Sequence, residues 1–263
     1  MGEKSNNYSP AVILLAAGKS ERMGKNKNKN YMFLGGKPVL ARSIHAFLQL
    51  DLFTKVIVVL AEGEEHDFRK WVLSPFFGSD DRIQYVTGGE KRQHSVYNGL
   101  KALNEEGISG ESVICIHDGA RPLVNTSLIR NVYNEAITQG AVVPGVPLQD
   151  TIKEVDSSDI VVNTPPRENY VSIQTPQCFK FSHIFKAHIK AAEEGFLGSD
   201  DSVLVERMGG QVKVIPGHTE NIKLTTSFDF TVAEAILQIT NDSFAEAEVH
   251  GDEDQFFLGN CSM

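Results

Sequence analysis

Short apolar runs alternate with segments of helical spacing over the first half of this chain. Apolar runs at residues 11–15, 55–60, 83–86, 113–116 and 141–143 predict five strands. The segments between them predict helices near residues 38–48, 64–72, 95–103 and 127–138. Because most of these strands are apolar throughout, the pattern is typical of a mostly parallel sheet covered by helices on both faces. We therefore expect one Rossmann-like α/β domain over residues 8–240.

Residues 149–174 interrupt this alternation. Two short stretches, 151–155 and 160–162, have strand character, and the acidic and serine-rich residues 156–159 between them have the composition of a turn. An isolated hairpin is only marginally stable, so we expect this β-hairpin arm to pack on another surface. Beyond the arm, the pattern predicts helices at 181–194, 202–208 and 228–239 and strands at 212–215 and 221–224.

Charge is unevenly distributed along the 263 residues. The net charge is −9, and the last 23 residues, 241–263, contain six acidic side chains and no lysine or arginine. We expect this acidic tail to be disordered. The rest of the chain is nearly neutral, which argues against general nucleic-acid binding but leaves room for a local cationic pocket.

Apolar runs, the first residues and the cysteines bear on the cellular compartment of the protein. No apolar run approaches the roughly 18 residues of a membrane span, and the polar residues 1–10 do not resemble a secretion signal. The three cysteines have no CxxC spacing, so we expect neither a disulfide framework nor a zinc site, with Cys115 a simple core residue. These features favour a reducing cytoplasm, or an organelle stroma if a transit peptide has been removed.

A loop rich in small and basic residues follows the first predicted strand. Small residues at 16–18 let the backbone approach a ligand, and exposed N–H groups with nearby cations suit a polyphosphate. The loop is not a P-loop, because five residues separate Gly18 from Gly24 where that motif needs four. It also lacks the glycines of the dinucleotide fingerprint. On composition alone, an ordinary turn with a solvated basic face explains the pattern equally well.

Three of the candidate residues follow the carboxyl ends of different predicted strands: Gly18, Gly89 and Asp118. In open α/β sheets the ligand crevice lies at that edge. The sequence therefore predicts that separate stretches of the chain converge on one site.

An ordered set of motifs extends this reasoning. It comprises Ala16-Ala17-Gly18-x-x-x-Arg22-Met23, Gly88-Gly89-Glu90-Lys91-Arg92-Gln93-His94-Ser95, His117-Asp118-Gly119-Ala120-Arg121-Pro122, Asp150-Thr151-Ile152-Lys153, Thr175-Pro176-Gln177, Ser199-Asp200-Asp201 and Asn221-Ile222-Lys223. In this order the motifs resemble the 2-C-methyl-D-erythritol 4-phosphate cytidylyltransferase family of the non-mevalonate isoprenoid route. Each motif is weak alone, but the ordered set is highly specific.

The resemblance implies a transfer of the cytidylyl group from CTP to a polyol phosphate, with release of pyrophosphate. It implies Mg²⁺ held mainly by the triphosphate, with Asp118 a possible ligand, and a homodimer in which the arm of each chain reaches the site of its mate. The residues that it implies fall into three groups. They are Arg22, Lys29 and Lys223 for catalysis; Ala16, Ala17, Gly18, Gly89, Glu90, Ser95 and Gly119 for the nucleotide; and Asp118, Thr151, Arg167, Thr175, Ser199 and again Lys223 for the acceptor.

Three other functions remain open at this point. A ribitol-5-phosphate cytidylyltransferase would share the loop, the arm and the reaction mechanism. An inactive nucleotide-binding regulatory protein would share the fold, although the presence of the cations argues against it. A nicotinamide dehydrogenase would need the missing glycine fingerprint.

Overall fold

The structure is a computed structural model that describes residues 8–18 and 28–253. Its strands are β1 (Ala11–Leu15), β2 (Phe33–Leu34), β3 (Lys37–Pro38), β4 (Lys55–Leu60), β5 (Ile83–Thr87), β6 (Val113–Asp118), β7 (Ala141–Pro147), β8 (Glu154–Val155), β9 (Val161–Asn163), β10 (Val171–Ile173), β11 (Gln177–Lys180) and β12 (Lys213–Pro216). Its α-helices are α1 (Val39–Leu48), α2 (Glu65–Phe68), α3 (Ser74–Phe76), α4 (Arg92–Glu105), α5 (Thr126–Gln139), α6 (Phe181–Glu193), α7 (Ser202–Arg207) and α8 (Ser227–Glu253).

A mixed, mostly parallel sheet forms the centre of the molecule. Its strands lie in the order β10–β7–β11–β6–β1–β4–β5, and β12 pairs with β7 outside this path. The pairs of β1 with β4 and β6, and of β4 with β5, are parallel. This arrangement confirms the predicted α/β fold.

Alternate residues of the central strands feed two separate cores. In β1, Val12 and Leu14 belong to the core beneath α1 and α5, whereas Ile13 belongs to the core beneath α4 and α6. All three side chains have no exposed surface. Successive side chains of a strand point to opposite faces, so a strand that is apolar throughout needs a helical layer on each side. This is the physical basis of the predicted two-sided sheet.

Three features of the sheet differ from the prediction. The sequence analysis missed β10 and β11, which are antiparallel to their neighbours, and β11 lies between β6 and β7. The strand predicted at 221–224 is not formed. The carbonyl of Asn221 there accepts a hydrogen bond from Arg121 Nη1 at 2.7 Å, and Leu224 N donates to Ala120 O at 2.8 Å. Local backbone bonds from Asn221 N to His218 O and from Ile222 N to Glu220 O complete a turn-like segment that has no strand partner among the described residues.

The prediction that the cysteines form no disulfide is wrong for one pair. Cys115 on β6 and Cys178 on β11 are joined by a disulfide. The register of the two antiparallel strands places them directly opposite each other, and both are fully buried. Because β11 was not predicted, nothing in the sequence indicated that these two cysteines, 63 positions apart, would be in contact.

The arm and the terminal helix are the peripheral elements. Strands β8 and β9 form a separate two-stranded antiparallel sheet, in agreement with the predicted hairpin. Helix α8 is anchored on the body by Phe230 and Ala233, which pack with Leu34, Val39 and Leu224. It continues to Glu253, so the helix includes residues that we expected to be disordered; their alanine and glutamate content favours a helix. Residues 254–263 lie outside the described part of the chain.

Candidate active site

A cavity of about 960 Å³ opens at the carboxyl edge of the sheet. Six separate stretches of the chain form its walls. They are the end of β1, the 3-10 turn at Lys29–Tyr31, residues 61–62 after β4, the loop that leads from β5 to α4, the end of β6 with Ala120, and the segment around Lys223. The predicted convergence of strand ends is therefore observed. Lys29, Lys223, Ala17, Gly18, Gly89, Glu90 and Ser95 all line this cavity.

The small-residue turn after β1 is fixed by its backbone. Ala16 N donates to Val59 O at 2.8 Å, and Ala16 O accepts from Asn30 Nδ2 at 2.6 Å. Both polar groups of Ala16 are thus used inside the protein, and Ala17 and Gly18 line the cavity in its place. Asn30 is a residue that sequence reasoning missed, although it adjoins Lys29 in the motif.

Two glycines bring the next loop close to this turn. A Cβ on Gly88 would lie 2.6 Å from Ala17 Cβ and 2.8 Å from Ser95 Oγ, so only glycine fits between them. Ser95 Oγ accepts a hydrogen bond from Gly89 N at 3.1 Å. The structure thus gives Ser95 a role in fixing the loop. Gly119, also predicted to face the nucleotide, instead donates its N–H to Leu15 O at 3.0 Å, and Ala120 lines the cavity.

A second cavity of about 470 Å³ adjoins the first. Among the predicted acceptor residues, Asp118, Thr175, Ser199 and Lys223 line it. Three residues line both cavities: Arg92, Asp118 and Lys223. We call these three residues the shared wall. A group bound in one cavity can therefore meet a group bound in the other beside these side chains.

Asp118 is the centre of charge of the shared wall. Its Oδ2 lies 2.9 Å from Lys223 Nζ and 3.7 Å from Arg121 Nε, and its Oδ1 lies 3.4 Å from Arg92 Nε. Burial alone would raise the pKa of the Asp118 carboxyl, but Arg92, Lys223 and Arg121 lower it well below its usual range. Asp118 is therefore a carboxylate surrounded by three cations, so this cluster of four side chains carries net positive charge.

The residues behind Asp118 contact one another. Thr175 Oγ1 accepts a hydrogen bond from Asp118 N at 3.1 Å and lies 3.0 Å from His117 Nδ1. His117 Nε2 lies 3.2 Å from Arg121 O. Burial lowers the pKa of the His117 imidazole to about 4, so this histidine is neutral near pH 7. Thr175, predicted to touch the acceptor, has its hydroxyl engaged in this chain of contacts.

The remaining predicted residues lie elsewhere. Thr151 and Arg167 are exposed on the arm and do not line either cavity of their own chain. Arg167 Nη1 donates to Gln149 O at 2.6 Å. Arg22 lies outside the described residues.

Comparison with known proteins shows the family to which this chain belongs. A sequence model of the 2-C-methyl-D-erythritol 4-phosphate cytidylyltransferases matches residues 11–239. This chain belongs to that family. It is 44% identical over 228 residues to the family member of Caldanaerobacter subterraneus subsp. tengcongensis, with 87% of this chain and 98% of the relative covered. It is 43% identical over 235 residues to that of Geobacillus kaustophilus, with 88% and 97% covered.

Solved structures of cytidylyltransferases agree with the fold. The 4-diphosphocytidyl-2C-methyl-D-erythritol synthase of Anaerococcus prevotii superposes with a TM-score of 0.76 at 29% identity, over 90% of this chain and all of that one. The 2-C-methyl-D-erythritol 4-phosphate cytidylyltransferase of Thermus thermophilus gives 0.71 at 30% identity, over 88% and 99%. The chain is accordingly a nucleotidyltransferase of the isoprenoid pathway.

The family's motifs contain a residue whose role sequence reasoning missed. Arg92 belongs to the Gly-Gly-Glu-Lys-Arg motif, and the motif assigned no function to this arginine. The motif shows that the arginine is present but not which residue its side chain contacts, and the fold brings its guanidinium to Asp118.

Within the described residues, no helix is long and apolar enough to cross a membrane.

Proposed function

We propose that this chain joins CTP to 2-C-methyl-D-erythritol 4-phosphate at a site formed by its two cavities and the arm of a second copy. CTP occupies the larger cavity and the polyol phosphate the smaller one. One observation carries the proposal: the cavities meet at the shared wall, where Lys223 and Asp118 face both. A phosphate in each cavity would approach the other beside Lys223.

The reaction needs alignment and positive charge more than it needs a base. A phosphate oxygen of the acceptor, already an anion, attacks the α-phosphorus of CTP in line. A new phosphorus–oxygen bond forms, the bond from the α-phosphorus to the bridging oxygen breaks, and pyrophosphate leaves with that oxygen. Lys29 and Lys223, together with Arg22, would neutralise the charge that builds up on the phosphoryl oxygens, as in phosphoryl transfer generally.

Mg²⁺ would enter this site bound mainly to the triphosphate of the nucleotide. Within the described residues there is no cluster of three or more histidine, cysteine, aspartate or glutamate side chains that could hold a metal ion. Both oxygens of Asp118 already have cationic neighbours. Triphosphate oxygens and water would therefore supply most ligands, an arrangement that Mg²⁺ commonly adopts. When bound, the ion would supply further neutralisation of phosphate charge.

The arm supports the homodimer that the proposal includes. Ile160, Val161 and Val162 at its tip are 62%, 51% and 59% exposed, and apolar side chains at this exposure favour contact with a second surface. In a two-fold dimer, each arm would reach the site of its mate by the same geometry. Thr151 and Arg167 would then contact the acceptor in trans. We also propose a cytoplasmic location, which rests on the bacterial relatives and no longer on the cysteines, because Cys115 and Cys178 form a disulfide.

A pyrophosphate-release assay tests the activity. The purified protein is mixed with CTP, Mg²⁺ and one polyol phosphate at a time, with UTP and ATP as nucleotide controls. We expect release with CTP and 2-C-methyl-D-erythritol 4-phosphate. Release with ribitol 5-phosphate alone would move the chain to the other cytidylyltransferase class. No release with any acceptor, from protein that binds CTP, would support the inactive regulatory protein instead.

A further inference from the structure

Arg92, a member of the shared wall with a 31% exposed side chain, forms an ion pair with the buried carboxylate of Asp201 behind that wall. Arg92 Nη1 is 2.7 Å from Asp201 Oδ2, and His188 Nε2 is 3.4 Å from Asp201 Oδ1. The side chains of Asp201 and His188 are 1% and 0% exposed. On its other side, Arg92 Nε donates to Asp118 Oδ1 at 3.4 Å. A continuous line of contacts therefore joins an interior carboxylate to the carboxylate at the centre of the site.

The pair is held at both ends by neighbouring contacts. Asp201 N donates to the side-chain oxygen of Gln177 on β11 at 3.2 Å. At the start of α4, Gln93 Nε2 donates to Phe196 O at 2.9 Å, and Gly198 N donates to Gln93 Oε1 at 2.8 Å. The first turn of α4, which follows the Gly88–Gly89 loop of the larger cavity, is thereby tied to residues 196–201. That segment carries Ser199, which lines the smaller cavity.

The electrostatics favour a fixed guanidinium. Burial alone would raise the pKa of the Asp201 carboxyl, but Arg92 and His188 lower it. Burial alone would lower the pKa of the Arg92 guanidinium, but Asp201 and Asp118 raise it. Each partner therefore keeps the other charged, and a buried charge that loses its partner is strongly unfavourable. An arginine side chain that would otherwise sample many rotamers is held in one orientation.

We propose that Arg92 and Asp201 are positioning residues: Asp201 holds the Arg92 guanidinium, which fixes the Asp118 carboxylate for the hydroxyl groups of the polyol acceptor. The inference rests on the proposed function, because it assumes that Asp118 binds the acceptor. Arg92 suits this task because its planar fork can contact two carboxylates in fixed directions, whereas the single ammonium of lysine cannot.

The account predicts an effect on one substrate more than on the other. Loss of the anchor leaves Asp118 free to rotate, so recognition of the polyol weakens. The CTP-binding residues of the β1 turn and the Gly88–Gly89 loop have their own contacts and keep their positions. A merely structural role for the pair would instead lower stability and affect both substrates alike.

The test uses Arg92→Lys, Asp201→Asn and the double variant in the full-length protein. We expect each single variant to raise the acceptor KM by about tenfold or more, on the scale of a lost charge-assisted contact. Asp201 lines neither cavity, so Asp201→Asn should change the CTP KM less than about twofold. The double variant should be no worse than the singles, because both disrupt one unit. Arg82→Lys and Asp80→Asn are matched controls, since that half-buried pair has its closest contact at 2.8 Å and lines neither cavity, and they should change neither KM.

Three outcomes would overturn the proposal. The first is a folded Asp201→Asn variant with an unchanged acceptor KM. The second is an equal loss for CTP and acceptor that follows the fall in melting temperature. The third is full additivity of the two substitutions. If the wild type releases no pyrophosphate, the proposed function fails. Calorimetric binding of 2-C-methyl-D-erythritol 4-phosphate to wild type and Asp201→Asn then decides the positioning role separately, and equal or absent binding would overturn it.

Discussion

The sheet body buries its β-branched side chains, whereas the β8–β9 arm exposes side chains of the same kind. Val12 and Ile13 of β1, together with Val58 of β4, have no exposed surface. Ile160 and Val162 at the arm tip are 62% and 59% exposed. These are β-branched residues with the same preference for strands. The difference lies in their surroundings: the body has helices on both faces, whereas no helix among the described residues of the chain covers the arm tip.

This comparison separates what one chain can do from what needs two. The body buries its apolar surface and assembles both cavities with its own residues. The arm carries two predicted acceptor residues, Thr151 and Arg167, away from those cavities. If Thr151 and Arg167 bind the acceptor, as proposed above, a second copy would have to supply these side chains to each site. The predictions below test each side of this comparison.

The largest effect should come from a cation of the body. Lys223→Ala should lower kcat by about 10²- to 10⁴-fold, the range found when a transition-state charge contact is removed. The fold should be unaffected, because the Lys223 side chain is 39% exposed. Steady-state kinetics and circular dichroism measure the two effects. Lys213→Ala, at an exposed position of β12, is the matched control. Equal kcat values for the two variants would contradict the assignment of Lys223.

The arm should be needed for assembly and not for folding. Ile160→Asp combined with Val162→Asp should convert a dimer to a monomer and lower activity by about tenfold or more, because charged side chains oppose burial at an apolar contact. Light scattering gives the mass of the double variant, and calorimetry should show that its monomer still has a cooperative melting transition. Ile137→Asp, on the exposed face of α5 at 43% exposure, is the control. A wild type that is monomeric at working concentration would contradict this part of the account.

A buried histidine should make the body sensitive to acid. The folded-state pKa of His117 is about 4, below the unfolded value of about 6.5. Between these values the unfolded chain binds a proton that the folded chain does not, so stability falls as pH falls. The loss between pH 7 and pH 5 should be about 2 kcal/mol. Urea unfolding measures it, and His117→Gln should remove most of this dependence. An equally steep dependence in the variant would assign the effect to other groups.

The smallest effect should come from the end of the chain. Deletion of residues 243–263 should leave the melting temperature and kcat within about 2 °C and twofold of the full chain, because exposed ends contribute little to a packed core. Phe230 and Ala233, which anchor α8, remain, whereas Ile239 is already 70% exposed. A melting temperature lower by more than this would show that the deleted residues contact the body or a second chain.

The sequence predicted the apolar strands and the helices that pack on them better than the short antiparallel strand β11, which lies between β6 and β7. The apolar runs of β1, β4 and β6 and the helical spacing of α1 and α5 lie close to the observed bounds. β11 is four residues long and contains Gln177 and Lys180, so it lacks the apolar pattern of the other strands. Its position between β6 and β7 depends on packing, and the Cys115–Cys178 disulfide followed from that position.

The site was predictable in its residue types but not in its connections. The motifs indicated Lys29, Asp118 and Lys223, and all three line the larger cavity. They did not indicate the contact of Arg92 with Asp201, because residues 109 positions apart are paired only by the approach of α4 to the segment before α7. Pairwise geometry of this kind has no periodic signature in a single sequence.

The most direct test of the central claim asks whether one active site uses two chains. Lys29→Ala removes a cation of the larger cavity, and Arg167→Ala removes the arginine of the arm. Each homodimer should be a poor enzyme. In a mixed dimer with trans-acting arms, one site carries both lesions and the other is wild type. With random pairing, co-expressed variants should therefore recover about a quarter of wild-type activity. No recovery in verified mixed dimers would contradict the two-chain site and confine Arg167 to its own subunit.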